Sequence, residues 1–307
     1  MCRVAAWLGK PQRLSALLFE PDSALVRQAY SPQKLGILNL AGFGMVAWLP
    51  GDDASSEPLT YRSTALPMYD PNLRSLADKL EAQCLLAHVR GIPYSTNSNY
   101  GRENLHPFRY PGFSWAMAHN GDLADFARMR GGLLPHIRPE IAAELRGSTD
   151  SEWVYALWMS QLDDPTARHT TDLIVAALRR TLEILSGVRA EFGVDLSSSL
   201  NLFITDGSRL IALRFAFDYG RYRLDDPSSL GQSGMSYLSL WYAVGERFDH
   251  TDGAWQMTGE HANDSLLVAS EPLTQNLSGW VEVPEYTAVV AEMDEGALSI
   301  RTVAMDI

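Results

Sequence analysis

Few cysteines, no long apolar run and no cluster of basic residues are found in this sequence, and each absence excludes a class of protein. Cys2 and Cys84 are the only cysteines, too few for a disulfide scaffold or a zinc ribbon. With so little cysteine, the expected location is the cytoplasm, with both thiols reduced. No stretch of about 18 apolar residues occurs, so no membrane span is expected. The apolar run from Val4 to Leu8, with Arg3, Lys10 and Arg13 around it, is too short and too interrupted to read as a secretory signal. Lys and Arg number 25 against 37 Asp and Glu, a net charge of −12, and the longest basic cluster is the pair Arg179–Arg180. Sequence-independent nucleic-acid binding needs clustered cations, so no nucleic-acid partner is expected. No spacing of His, Cys and carboxylates points to a metal site, and Gly42-Phe-Gly44 is not a phosphate loop. No metal or cofactor is expected.

What is present is globular. The chain of 307 residues is 46% hydrophobic and 20% charged, ordinary values for a folded protein. A chain of this size buries about three-quarters of its unfolded surface. No linker rich in Pro, Gly or Ser divides it and no internal repeat appears, so residues 1–307 read as a single domain.

Strand patterns open the chain, over residues 2–8 and from Phe43 to Trp48. A short helix is expected over 13–19 and another over 72–82. Cys84 to Val89 is a short apolar run bounded by polar segments, the pattern of a buried strand. Residues 91–112 carry little periodicity and read as a long loop, a kind of segment that is usually functional. Phe113 to His119 reads as a strand, closed by a turn at Asn120-Gly121. Helices are expected over 122–130 and 136–145. Thr149 and Glu152 fit a capping box that opens a further helix. Residues 171–191 form an amphipathic helix with Leu173, Ala177, Leu178, Leu182 and Leu185 as its apolar stripe. Strands then finish the chain. Leu200–Thr205 and Leu210–Phe215 flank the hairpin signal Asp206-Gly207, followed by Tyr237–Val244, Leu266–Ser270, Tyr286–Ala291 and Ser299–Val303. Without regular βαβ alternation, the order predicts an α+β fold with helices packed on antiparallel sheets.

Cys2 carries the first chemical signal. Methionine is normally removed before a small residue, which would leave a terminal cysteine with a free α-amino group. An α-amino group titrates near 7.7–8.0 and a thiol near 8.5, so a base poised near neutral pH would stand a few bonds from a nucleophile.

Other segments follow in a recognisable order: Leu25-Val-Arg-Gln-Ala-Tyr30, Asn39-x-x-Gly-Phe-Gly44, Ala87-His-Val-Arg90, Asn104-x-His-Pro-Phe108, His119-Asn-Gly121, Gly147-Ser-Thr-Asp-Ser-Glu152 and Ala269-Ser-Glu-Pro-Leu273. Together with Met-Cys-Arg at the start, they resemble the class II glutamine amidotransferases, which are N-terminal-nucleophile hydrolases. The closest resemblance is to the single-domain branch that includes the amidohydrolase of ergothioneine biosynthesis and the amidotransferase subunit of the fungal glutathione-degrading complex.

The resemblance implies a four-layer αββα sandwich with antiparallel sheets, and a γ-glutamyl thioester formed on Cys2. It makes Asn120 and Gly121 the oxyanion hole, through the Asn side-chain amide and the Gly N–H. Arg90 would hold the substrate α-carboxylate through its planar fork, and Asp150 would hold the α-ammonium. His106 would shape the pocket. His88 and His119 read as core histidines with satisfied rings, and Cys84 as a buried filler. The implied partner is a small γ-glutamyl molecule. Two other readings stay open: a non-catalytic γ-glutamyl-binding or regulatory relative, and a glutaminase subunit feeding ammonia to a partner synthetase. The chain departs from the family pattern at Ala41, where Asp is common, at Gly91 to Tyr94 after the arginine, and at Asp22, where His is frequent.

Overall fold

The computed structural model describes residues 2–34, 38–92, 100–218, 239–259, 263–294 and 296–307. Within them the chain builds two antiparallel sheets face to face. The first holds β1 (Arg3–Arg13), β2 (Phe43–Trp48), β3 (Leu59–Ser63), β4 (Glu81–Val89), β9 (Trp241–Gly245), β12 (Ser265–Ala269) and β13 (Val281–Glu282). Their order is β13-β9-β12-β1-β4-β2-β3, which puts the start of the chain in the middle of the sheet. The second holds β5 (Ala116–Asp122), β6 (Ser198–Thr205), β7 (Arg209–Arg214), β14 (Thr287–Asp294) and β15 (Ala297–Ala304), with the short β8 (Ala216–Phe217) beside β6. A separate hairpin pairs β10 (Arg247–Thr251) with β11 (Ala254–Thr258).

Burial on both faces explains why β1 reads as a continuous apolar run rather than as alternation. Side chains alternate across a strand. Ala5 and Trp7 face outward into a core shared with α1 (Leu14–Leu18), α2 (Leu25–Gln28) and α3 (Pro71–Lys79). Val4, Ala6 and Leu8 face inward, against Ala116, Ala118 and Phe203 of the opposite sheet. Beyond the second sheet, Met117, Leu202 and Ile211 pack under α4 (Phe126–Leu133), α5 (Pro139–Ala142), α6 (Asp150–Met159) and α7 (Thr171–Glu191). The result is four layers, helix on sheet on sheet on helix. Among the described residues, no helix is long and apolar enough to cross a membrane.

Several expectations need correction. Asn120-Gly121 is not a turn: β5 runs on through both, and they pair with Asn201 and Leu200. Leu173 does not belong to the buried stripe of α7 and is 51% exposed, while Ala177, Leu178, Leu182 and Leu185 are buried. One half of the capping box forms. Thr149 accepts from the Glu152 N–H, but the Glu152 carboxylate turns to the N–H groups of Arg146 and Gly147, at 3.0 and 2.7 Å. The helix expected over 136–145 is a single 3-10 turn, Leu134–His136, followed by the four-residue α5. Tyr237 and Leu238 of the expected strand lie outside the described residues.

Phe203 is fully buried between the sheets. Phe203→Ala is expected to cost about 3–5 kcal/mol in urea unfolding, and Leu173→Ala less than about 0.5 kcal/mol. Equal costs at the two positions would contradict this assignment of layers.

Candidate active site

Alternation along four strands sends one set of polar side chains into the gap between the sheets, at one end. On β1 the inward series Leu8, Ala6, Val4 leads to Cys2. On β4 the series Cys84, Leu86, His88 leads to Arg90. On β5, Ala116 and Ala118 lead to Asn120, and after β12 the series Leu266, Val268 leads to Ser270. The register Val4↔His88 and Arg3↔Val89 puts the start of β1 beside the end of β4.

The Cys2 side chain is buried, and its Sγ lies 3.4 Å from the Gly91 N–H nitrogen and 3.5 Å from the Gly91 carbonyl. Arg3 points the other way and anchors the strand. Its Nη1 donates to the Cys2 carbonyl at 2.9 Å, and its Nε stands 3.2 Å from the Glu271 carboxylate. Both members of this ion pair are buried, and Glu271 also accepts from the N–H groups of Gln33 and Lys34, at 3.0 and 2.9 Å. A buried pair of this kind survives only when its remaining hydrogen-bonding positions are filled, as they are here.

Arg90 is buried at the start of the long loop, with its backbone tied to Gly42 and Ala41 at 2.9 Å each. Burial pulls its guanidinium below the ordinary value, and the charges of Cys2, Asp150, Glu103 and Tyr100 act against that pull. The departure at Ala41 therefore lies directly against the Arg90 backbone. Asp150 opens α6, half-buried. One carboxylate oxygen accepts from the Leu123 N–H at 2.8 Å, and the other from the Ser151 N–H at 2.8 Å and its hydroxyl at 3.2 Å. This joins α6 to the chain two residues beyond Gly121.

Asn120 is buried, and its Nδ2 donates to Ser270 Oγ at 3.0 Å, which also accepts from the Val4 N–H at 3.0 Å. Gly121 is required where it stands. A Cβ there would come within 1.9 Å of the Ser199 carbonyl and 2.3 Å of His119 Nε2. The crowding is against β6 and His119.

The histidines divide. His119 is satisfied, with Nδ1 2.9 Å from Ser151 Oγ and Nε2 2.9 Å from the Ser199 carbonyl. His88 and His106 stack with ring centroids 4.1 Å apart, and no ring nitrogen of either has a hydrogen-bond partner among the described residues. His88 thus departs from the satisfied ring expected of it. His106 also packs on Phe108, and Gly44 passes too close to the His106 carbonyl to carry a side chain. Cys84 faces the same gap farther in. Its Sγ is 3.2 Å from Thr205 Oγ1, and burial pushes its thiol up to about 12.

Cys2, Arg90, Asn120, Gly121 and Asp150 therefore gather at one end of the gap, with His106 stacked behind on His88. Met1, Pro93 and Tyr94 lie outside the described residues. Ser270, Glu271 and Arg3 are the members that motif reading left without a role, although the inward series Leu266, Val268, Ser270 was visible in the sequence. Among the described residues, no three His, Cys, Asp or Glu side chains converge as metal ligands.

Comparison with known proteins fits this geometry. Residues 42–228 match the glutamine amidotransferases class-II family, a span that contains Arg90, His106, Asn120, Gly121 and Asp150. The chain belongs to this family of enzymes. It is 33% identical to the probable glutamine amidotransferase DUG3 of Saccharomyces cerevisiae, over 92% of this chain and 80% of that one. It is 30% identical to a γ-glutamyl-hercynylcysteine sulfoxide hydrolase of Mycolicibacterium smegmatis, over 69% of this chain and 78% of that one. In fold it is similar to a glutamine aminotransferase class-II domain protein from Silicibacter pomeroyi, with a TM-score of 0.59 at 22% identity, covering 99% of this chain and 100% of that one. It is similar as well to half of the Bacillus subtilis glutamine phosphoribosylpyrophosphate amidotransferase, at a TM-score of 0.54 and 17% identity over 100% of this chain. The four layers are the αββα sandwich of N-terminal-nucleophile hydrolases.

Burial holds His88 down at about 3 and His106 well below its ordinary value, with the Arg90 and His119 charges adding to both shifts. An unfolded histidine titrates at about 6.5. Between there and about 3, the unfolded chain binds a proton at His88 that the folded protein refuses, so stability falls as pH falls. Urea unfolding should show this contribution as a slope of up to about 1.4 kcal/mol per pH unit. His88→Phe should flatten it, and an unchanged slope would contradict the assignment.

Proposed function

We propose that this chain hydrolyses a γ-glutamyl amide bond, in glutamine or a γ-glutamyl conjugate, through a thioester on Cys2. The observation that carries the reading is the convergence of a thiol, a guanidinium and a carboxylate. Apart from burial, Cys2 and Asp150 are the strongest influences on the Arg90 charge. A γ-glutamyl group presents an α-carboxylate and an α-ammonium at one end and the scissile amide at the other. The Arg90 fork suits bidentate capture of the carboxylate, and Asp150 suits the ammonium. His106 keeps the wall behind them shaped and uncharged.

With Met1 removed, the Cys2 α-amino group takes the thiol proton as Sγ attacks the γ-carbonyl carbon. The carbonyl oxygen becomes an oxyanion that accepts hydrogen bonds from Asn120 Nδ2 and the Gly121 N–H. The C–N bond then breaks, and the Cys2 α-amino group, protonated in the first step, gives that proton to the leaving amine. Water attacks the thioester, glutamate departs, and the thiol is restored. Similarity to a γ-glutamyl-hercynylcysteine sulfoxide hydrolase supports hydrolysis as the outcome. We read residues 1–307 as one catalytic domain. The chemistry needs Cys2 as a thiol, which suits a reducing compartment such as the cytoplasm.

Glutamate release from L-glutamine and from γ-glutamyl-p-nitroanilide tests the reading. Cys2→Ala should release none. Arg90→Lys and Asp150→Asn should each raise KM about ten- to a hundredfold, the loss of one charged hydrogen-bonding site, with a smaller change in kcat. Turnover by the Cys2→Ala protein would overturn the proposal.

A further inference from the structure

Ser270 directly follows β12 and is 3% exposed. Its hydroxyl oxygen accepts two hydrogen bonds of 3.0 Å, one from the Val4 N–H and one from Asn120 Nδ2. The first donor belongs to the strand that begins at the thiol. The second is the amide read above as an oxyanion donor. The Ser270 backbone is fixed on both sides, its N–H donating to the Val4 carbonyl at 2.9 Å and its carbonyl accepting from Ser239 Oγ at 2.8 Å. The Ser239 carbonyl accepts from Asn201 Nδ2 at 3.0 Å, and Asn201 stands opposite Asn120 in the β5–β6 register. Asn120, Ser270, Ser239 and Asn201 thus form a buried polar circuit that runs through both sheets.

We propose that Ser270 is a positioning residue that fixes the Asn120 amide relative to the nucleophile strand. The inference rests on the oxyanion role of Asn120 given above. An Asn amide has two N–H bonds. Ser270 takes one, and that leaves the other aimed at a single direction beside the thiol. Without an acceptor at 270, the terminal torsion of Asn120 is broad and nearly two-fold, and a buried N–H of Val4 loses its partner. An oxyanion hole lowers the barrier only when its donors are in place before the charge develops. Ser270 supplies that order from the sheet carrying the nucleophile, so thiol and oxyanion donor are set by one oxygen atom.

Inactivation by 6-diazo-5-oxo-L-norleucine, a glutamine-like alkylator, reads this out as kinact and KI, with intact mass reporting the adduct. Four proteins complete a double-mutant cycle: wild type, Asn120→Ala, Ser270→Ala and the double variant. Asn120→Ala should lower kinact by about a hundredfold or more. Ser270→Ala should lower it about tenfold, with KI unchanged and with most of the rate recovered in Ser270→Thr. The double variant should be no slower than Asn120→Ala alone, because there is no longer an amide to position. Losses that multiply, or a loss seen in KI, would overturn the inference and leave the catalytic reading standing. If Ser270→Ala does not fold, Ser270→Cys, a poor acceptor of nearly the same shape, completes the cycle with the same two outcomes. No adduct on the wild-type protein would overturn the catalytic reading and this inference with it.

Discussion

Burial of β1 on both faces over Arg3–Gly9, between β4 and β12, is the constraint on which the rest depends. A central strand has no free edge and no solvent face, so its alternation is not negotiable. Val4, Ala6 and Leu8 must face the second sheet, and Cys2 is then carried to the same side two residues earlier. A register slip of one residue would turn the thiol outward into the helical layer. The same parity on β4, β5 and β12 brings Arg90, Asn120 and Ser270 to meet it. The site is thus a consequence of how two hydrophobic sheets stack, with polar residues placed only where the strands run out.

Polar groups at the end of such a gap are costly unless partnered, and the structure partners most of them. Arg3 and Glu271 hold the outward side of β1, and their spare positions are filled by Cys2, Gln33 and Lys34. Asp150 is satisfied by Leu123 and Ser151, and His119 by Ser151 and Ser199. The stacked pair His88 and His106 is different. Its ring nitrogens find no partner among the described residues, and burial keeps both rings neutral. Two uncharged rings add no positive charge to that already supplied by Arg90 and Arg62.

Much of this was legible in the sequence where one physical signal dominated. The apolar run Phe43–Trp48 and the 3.6-residue period of 171–191 gave elements with the bounds observed. Asp206-Gly207 gave the β6–β7 hairpin, because the chain there has left-handed geometry that glycine supplies. Asn120-Gly121 carried the same kind of signal and misled, since tertiary pairing with Asn201 and Leu200 overrides local turn preference. The β10–β11 hairpin escaped detection although Asp252-Gly253 marks its turn. Its strands are polar and half-exposed, so no apolar alternation announces them. For the candidate site, motifs pointed to Cys2, Arg90, Asn120, Gly121 and Asp150 without their geometry. The Ser270–Asn120 contact joins residues 150 apart, and the Ser270–Val4 and Arg3–Glu271 contacts join residues more than 240 apart, pairings that no local pattern records.

In the proposed reaction Cys2 Sγ is the atom that becomes acylated. Protein quenched in acid during turnover of L-glutamine and mapped by peptide mass spectrometry tests it directly. The account predicts a γ-glutamyl group on the peptide beginning with Cys2, Met1 having been removed. A γ-glutamyl group on Cys84, or turnover by protein that retains Met1, would contradict it.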